Sequence, residues 1–251
     1  MAVYLLDLDG TMYHGTNIIP EALEFLTKKK ESGETCYFLT NNASRTPAEN
    51  AEHMNNIGYR DIKPAEFYNS AMACVAYAKK YYPVKKVMAI GQNGLIEELR
   101  DAGFTLVEEG AELVMVGLNL QGNYELYSLA LRNLLNKAKL LGTNEDRILL
   151  SESGTKLGNG SIIKMLEYAS GQTAVITGKP HAYFLEAALA YWNLNKEDVI
   201  MVGDNLETDI LCGINAGVQT VFVLGGVHNE KDIDRLDIRP DLIVHSLKEL
   251  L

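Results

Sequence analysis

No apolar run in these 251 residues approaches the ~20 needed to span a bilayer. The start, MAVYLLDLDG, lacks a basic stretch and reaches charged residues at once, so neither a membrane span nor a secretory leader is expected. Cysteine is scarce. Cys36, Cys74 and Cys212 are odd in number and far apart, which argues against a disulfide framework and suits a reducing, cytoplasmic setting. Each lies in an apolar stretch and reads as a buried thiol. No long Lys/Arg block offsets a formal net charge of -10, so no nucleic-acid partner is expected. The same charge repels phosphorylated metabolites unless cations are gathered locally, which a divalent metal can do. Short repeats and low-complexity linkers are missing too. What remains is 47% hydrophobic and 22% charged, an ordinary globular composition with enough chain for one large domain or two smaller ones.

Short runs rich in Val, Ile, Leu and Tyr alternate with stretches of helical periodicity. That pattern predicts an α/β fold of βαβ units around a mainly parallel sheet. AVYLLDL reads as a buried strand, Pro20 to about Lys30 as a helix stopped by Gly33, and TCYFLT as the next strand. Helices are expected from Pro47 to about Ile57 and from Asn69 to Tyr82, with Pro83 beyond. The alternation then runs through VKKVMAIG, GLIEELRDAG, AELVMVGL, YELYSLALRNLLNKAK, KLLGTN and SIIKMLEYAS. The strands AVIT, DVIMVG, VQTVFVL and DLIVH follow, with helices at Phe184–Tyr191, Thr208–Ala216 and Glu230–Leu236 between the later ones. Two α/β modules are expected, with boundaries that periodicity does not locate.

Asp7-Leu8-Asp9-Gly10-Thr11 follows the first strand directly. In extended chain the two carboxylates fall on one side, at a strand end where open α/β sheets place ligands. Two carboxylates that close repel unless a cation joins them or one holds a proton. Oxygen donors suit magnesium, which takes one or two carboxylates plus water and phosphate, and a carboxylate can itself attack phosphorus. A second acidic set, Asp204 and Asp209 in GDNLETD, follows another apolar strand, with Asp204 placed to join a metal held by the first motif. Asp209 sits where it could orient neighbours. Thr40, Asn41 and Asn42 close the TCYFLT strand with donors for phosphate oxygens, although Asn-Asn is also ordinary turn chemistry. Lys179, after AVIT, is either a solvated charge or a clamp on phosphate. The Lys79–Lys86 run of lysines and tyrosines reads as a solvated helix end. The histidines show no ligand spacing, and only His14 lies near Asp9.

Taken together these motifs resemble the haloacid dehalogenase-like (HAD) superfamily, whose four motifs match here in order. They are DLDGT, Thr40, Lys179 and Gly203–Asp209. The stretches DLDGTMY, LTNNASRT, TGKP, GDNLETDILCGINAG and VFVLGGV narrow it to subfamily IIA, the NagD-like or p-nitrophenyl phosphatase branch. The resemblance implies a Rossmann-like core at 1–75 and 175–251 with an inserted α/β cap domain at 76–174. It also implies a magnesium-dependent phosphatase of small phosphorylated metabolites, such as nucleotides or sugar phosphates, working through an aspartyl-phosphate. Asp7 would be nucleophile and Asp9 general acid/base. Mg2+ would be held by Asp7, the Asp9 carbonyl and Asp204, with Asn205 and Asp209 around it. Thr40, Asn41, Asn42 and Lys179 would contact the phosphoryl group.

In relatives the cap supplies substrate contacts and sometimes mediates association, so a homo-oligomer is among the expected states. The segment from Thr143–Asp146 through Gly158–Ser161 is where leaving-group selection is expected, the alternative being a plain connection with no substrate role. Relatives carry a Pro-Thr pair and a Pro-Gly-Ala-Gly-Ser run hereabouts, whereas this chain has Leu150-Ser151 and Leu157-Gly158-Asn159-Gly160-Ser161. Phosphoglycolate phosphatase and a non-catalytic regulatory protein of the same fold are the alternatives. Dehalogenation has no need of Asp9, and by analogy a large cap disfavours a mutase.

Overall fold

The computed structural model describes residues 2–151 and 154–251, with the side chains of 150 and 151 left aside. The Leu150-Ser151 pair singled out above is therefore placed by its backbone alone, and residues 152 and 153 lie outside the described residues. The chain divides into two compact units. Met1–Thr40, Pro47–Tyr68 and Lys179–Leu251 make the first, and Asn41–Thr46 with Asn69–Gly178 the second.

The chain opens with β1 (Val3–Leu6), the short antiparallel pair β2 (Tyr13–His14) and β3 (Asn17–Ile18), α1 (Pro20–Glu31), β4 (Thr35–Thr40), α2 (Pro47–Ile57) and β5 (Phe67–Asn69). Then come α3 (Ser70–Tyr81), β6 (Lys86–Ile90), α4 (Asn93–Asp101), β7 (Thr105–Leu106), β8 (Leu113–Val116), α5 (Tyr124–Leu135) and β9 (Lys139–Gly142). The hairpin β10 (Ile148–Ser151) and β11 (Gly154–Leu157), α6 (Asn159–Ser170) and β12 (Val175–Ile176) complete the second unit. The first unit resumes with α7 (Ala182–Trp192), β13 (Val199–Gly203), α8 (Leu211–Ala216), β14 (Gln219–Val223), α9 (Glu230–Leu236) and β15 (Leu242–Val244). Among the described residues, no helix is long and apolar enough to cross a membrane.

In the first unit a six-stranded sheet runs β15-β14-β13-β1-β4-β5, and β1 is parallel to both β13 and β4. Tyr4, Leu6 and Leu8 share a core with Phe25 and Leu26 of α1, Met54 of α2 and Phe38 of β4. Tyr4 meets Phe25 edge-on at 5.3 Å, and Phe38 stacks on Phe67 at 4.9 Å. α1 begins at Pro20, whose missing N–H costs nothing at a first helical position, and Lys28, Lys29 and Lys30 complement the dipole of its last turn.

The second unit has its own five-stranded sheet, β12-β9-β8-β6-β7, parallel throughout. β8 shows why its strands read as unbroken apolar runs. Leu113 and Met115 enter one core with Ala71, Cys74 and Val75 of α3 and Leu95 and Leu99 of α4. Val114 and Val116 enter another with Ala130 and Leu134 of α5 and Ile163 and Leu166 of α6. Helices cover both faces, so alternation disappears.

Ala76, the expected start of the insertion, lies inside α3, one continuous helix that packs on this sheet, and Ala174 immediately precedes β12. Residues 41–46 join the second unit through specific contacts. Ala43 is part of the α3–α4 core. The Gly94 N–H donates to the Ser44 carbonyl at 3.0 Å, and the Asn69 amide donates to the Arg45 carbonyl at 3.1 Å. A Cβ on Gly94 would meet the Ala43 carbonyl oxygen and the Arg45 carbonyl carbon at 2.6 Å each. An exposed helical Gly→Ala change normally stabilises by about 1 kcal/mol. Here the sign reverses: Gly94→Ala is expected to destabilise by roughly 1–3 kcal/mol through overpacking, read as a lower midpoint in urea, and a higher midpoint would refute the packing argument.

Candidate active site

The parallel register of the first sheet lines up three strand ends. Leu6 pairs with Val202 on one side and Phe38 on the other, and the Asp7 N–H donates to the Val202 carbonyl at 2.9 Å. Asp7 thus stands just past β1, Asp204 just past β13, and Thr40 ends β4. β1 stops at Leu6 because the chain turns. Gly10 takes a φ of +97°, its N–H donates to the Tyr13 carbonyl at 2.8 Å, and a Cβ there would collide with the Asp204 carboxylate. Only glycine satisfies both the dihedral and the contact.

Lys179 joins the set from the chain just before α7. Its ammonium lies 2.6 Å from Asp7 Oδ1, 2.7 Å from Asp209 Oδ1 and 3.2 Å from the Leu39 carbonyl, and the residue is 2% exposed. Three donors thus meet three acceptors. Asp209 reaches the ammonium because Leu206–Ile210 is wound as a π-helical turn ahead of α8, a local widening common at functional positions. The helix expected at Thr208–Ala216 is thus α-helical only from Leu211. The Asn205 side chain caps that turn, accepting from the Glu207 N–H at 3.0 Å and the Thr208 N–H at 3.3 Å. Its own N–H donates to Asp209 Oδ2 at 3.1 Å.

Asp204 is buried and held from two sides. The Thr11 hydroxyl donates to Oδ1 at 3.1 Å and the Val227 N–H to Oδ2 at 2.7 Å. Asp7, Asp204 and Asp209 offer carboxylate oxygens within 4.8 Å of one another. Three carboxylates against one ammonium leave two negative charges in excess, a buried imbalance that a divalent cation would neutralise, and the all-oxygen donor set fits a hard one. The pKa shifts carry the same strain. Burial, then the charge of Asp209, pushes Asp7 well above the usual carboxylate range against the pull of Lys179. Burial and Asp209 push Asp204 up to about 6. Burial also works against the Lys179 charge, but Asp209 and Asp7 more than offset it and raise that group.

The other expected residues are placed as follows. Asp9 is exposed, its backbone forms an isolated β-bridge with Tyr13, and the three-aspartate cluster is Asp7, Asp204 and Asp209. Asn41 and Asn42 belong to the second unit. The Asn42 side-chain oxygen accepts from the Ser44 N–H at 2.9 Å and the Ser44 hydroxyl at 2.6 Å, which is turn chemistry. The Asn41 amide approaches Asp146 at 3.4 and 3.5 Å, and Asp146 also accepts from the Asn144 amide. Within that unit Thr143–Asp146 and Gly158–Ser161 come together. Asn159 lies 2.9 Å from Asn144 Oδ1, and the Gly160 N–H donates to the Asp146 carbonyl at 2.9 Å. Three contributors escaped the sequence reading: Thr11, the Val227 N–H and, beside it, His228. A backbone donor carries no residue-type signal. Thr11 was visible in DLDGT, but nothing in its type named its partner.

Two outcomes follow. In the metal-free protein Asp204 holds its proton to about pH 6, against 3.8 for an ordinary aspartate. Folding therefore takes up a proton between those values, and this group's contribution to stability falls as pH rises through the window and levels off above it. With EDTA at pH 7.5, Asp204→Asn is expected to melt above the parent protein, and the gain should shrink at pH 4.5. A lower melting point at pH 7.5 would overturn the assignment. Lys179→Ala leaves Asp7 and Asp209 buried without their cation, and is expected to cost about 3–5 kcal/mol in urea unfolding. An unchanged midpoint would show that the ammonium contributes nothing.

Comparison with known proteins identifies the family. Residues 4–105 match the haloacid dehalogenase-like hydrolase family model, and residues 176–250 match a HAD-hydrolase-like model. An acid sugar phosphatase of Staphylococcus epidermidis is 36% identical over 98% of this chain and 94% of its own. The 5'-nucleotidase YutF of Bacillus subtilis is 34% identical over 98% of this chain and 96% of its own. Among solved structures, NagD of E. coli K-12 is similar with a TM-score of 0.90 and 33% identity, covering 99% of this chain and 98% of that one. Identity of this extent along nearly the whole length, on a shared fold, means that the chain belongs to the haloacid dehalogenase-like hydrolases, in their NagD-like phosphatase branch.

Proposed function

We propose that this protein hydrolyses small phosphate monoesters, sugar phosphates or nucleotides, by attack of the Asp7 carboxylate on phosphorus. The observation that carries the reading is the buried Asp7–Lys179–Asp209 bridge beside Asp204 at adjacent strand ends. It supplies a fixed nucleophile next to fixed positive charge, with room in its charge balance for one divalent cation. Mg2+ is the proposed ion, held by Asp7, Asp204 and the Asp9 backbone carbonyl, with Asn205 and Asp209 orienting the surroundings. When bound it would offset negative charge on the phosphoryl oxygens.

Lys179 holds one Asp7 oxygen, which leaves the other to form the bond to phosphorus. As the P–O bond to the leaving group breaks, Asp9 gives that oxygen a proton. The aspartyl-phosphate is then attacked at phosphorus by water, whose proton goes to Asp9, so that phosphate leaves, Asp7 regains its carboxylate and Asp9 its proton. Thr40, Asn41, Asn42 and Lys179 are assigned to the phosphoryl oxygens, where donors stabilise spreading charge. Asp9 suits proton exchange because it is exposed, two residues beyond Asp7. The second unit is assigned as the inserted cap, with Thr143–Asp146 and Gly158–Ser161 as its selecting segments. Cys36, Cys74 and Cys212 are buried free thiols, pushed up to about 12 by burial. They are therefore unreactive, which supports a cytoplasmic placement.

Turnover of p-nitrophenyl phosphate with and without Mg2+ tests the reading. Activity is expected only with the metal, to be lost in Asp7→Asn, and to fall by about 10²–10⁴-fold in Asp9→Asn. Full activity in Asp7→Asn, or turnover indifferent to EDTA, would sink it. A panel of sugar phosphates, nucleoside monophosphates and phosphoglycolate, ranked by kcat/KM, then separates the substrate classes.

A further inference from the structure

We infer that His228 is a positioning residue for the proposed metal ligand Asp204, acting as the latch of a short strap that fixes its carboxylate. The inference rests on the metal reading above and concerns only residues of the first unit. The strap is Gly225–His228, which leaves β14 and doubles back over the end of β13. Gly225 has a φ of +102°, and a Cβ on Gly226 would collide with the Asp204 carboxylate. The backbone therefore lies directly on Asp204, and the Val227 N–H donates to Oδ2 at 2.7 Å.

Two further bonds tie the strap to the chain that carries Asp204. The His228 N–H donates to the Asp204 carbonyl at 3.3 Å. The Leu206 N–H donates to His228 Nδ1 at 3.2 Å. The imidazole is buried, 8% exposed, and its Nε2 faces Glu207 Oε2 at 3.5 Å. Because Nδ1 accepts from a backbone N–H it carries no proton, which places the ring proton on Nε2, toward Glu207. Of the three bonds between strap and ligand turn, only the Leu206–His228 bond is made by a side chain of the strap. Removing it leaves the buried Leu206 N–H without its acceptor and frees the strap to shift. Val227 then no longer fixes Oδ2, and Asp204 loses the orientation a metal needs. Outer contacts of this kind are typically worth 10–100-fold in metal affinity.

Mn2+ serves as the probe, with binding read from the loss of the free-ion electron paramagnetic resonance signal and independently of turnover. His228→Ala is expected to weaken Mn2+ binding by about tenfold or more, with kcat at saturating Mg2+ close to the parent value. His228→Asn, whose side-chain oxygen stands where Nδ1 stood, is expected to bind Mn2+ within about twofold of the parent, a ratio worth under half a kcal/mol. His228→Gln fills the space but offers no acceptor at that position, so it should behave like the alanine variant and replaces it if that variant does not fold. Glu207→Gln should leave binding unchanged, because the latch uses Nδ1. Parent-like Mn2+ affinity in the alanine or glutamine variant, or an asparagine variant no better than glutamine, would overturn the inference. A parent protein that binds no Mn2+ would instead overturn the metal reading itself.

Discussion

One ammonium group holds the chemistry of this protein in place. Lys179 touches two buried carboxylates and a backbone carbonyl at once, and its neighbourhood still has a surplus of negative charge. Burying such a set is costly. Each ion loses its hydration, and the attraction between them repays that loss only where geometry is close and every donor is used. Both conditions hold at Lys179. The result is a site already strained toward a further cation, with Asp7 and Asp204 both pushed toward keeping protons they would give up in water.

That convergence is a property of the sheet before it is a property of the side chains. Because β4, β1 and β13 are parallel and adjacent, their carboxyl ends finish together. Residues separated by more than 160 positions in sequence become neighbours without any loop having to bring them there. The glycine at position 10 and the strap after β14 then close on Asp204 from either side, so that backbone, not only side chains, defines where its carboxylate can be.

Much of this is legible in the sequence because strand-end motifs carry their own context. Asp7, Asp204 and Lys179 each follow an apolar run, and the alternation of runs and helical stretches already implies a parallel sheet that gathers them. α1 is bounded by Pro20 and Gly33 for reasons that need no structure. Other features leave no trace. The two-residue strands β2 and β3 are too short for a period, and the β10–β11 hairpin lies in what read as a connection between TN and SIIK. β11 is exposed along its length, so it shows no apolar alternation. The π-helical winding at Leu206–Ile210 brings Asp209 to Lys179, a contact across 30 positions of chain that local periodicity does not signal. The role of Val227 rests on a backbone N–H, which every residue but proline has.

The six residues 41–46 have a consequence for how this molecule could be taken apart. They are separated in sequence from the rest of the second unit by α2 and β5, yet Ala43 fills part of its core and Ser44 and Arg45 carry its hydrogen bonds. The unit is thus stitched from two pieces of chain. It is not a cassette that recombination could lift out at a single pair of cuts. A transplant onto another scaffold would have to carry a complementary six-residue fragment along, much as an enzyme cleaved into two peptides needs both to regain its shape.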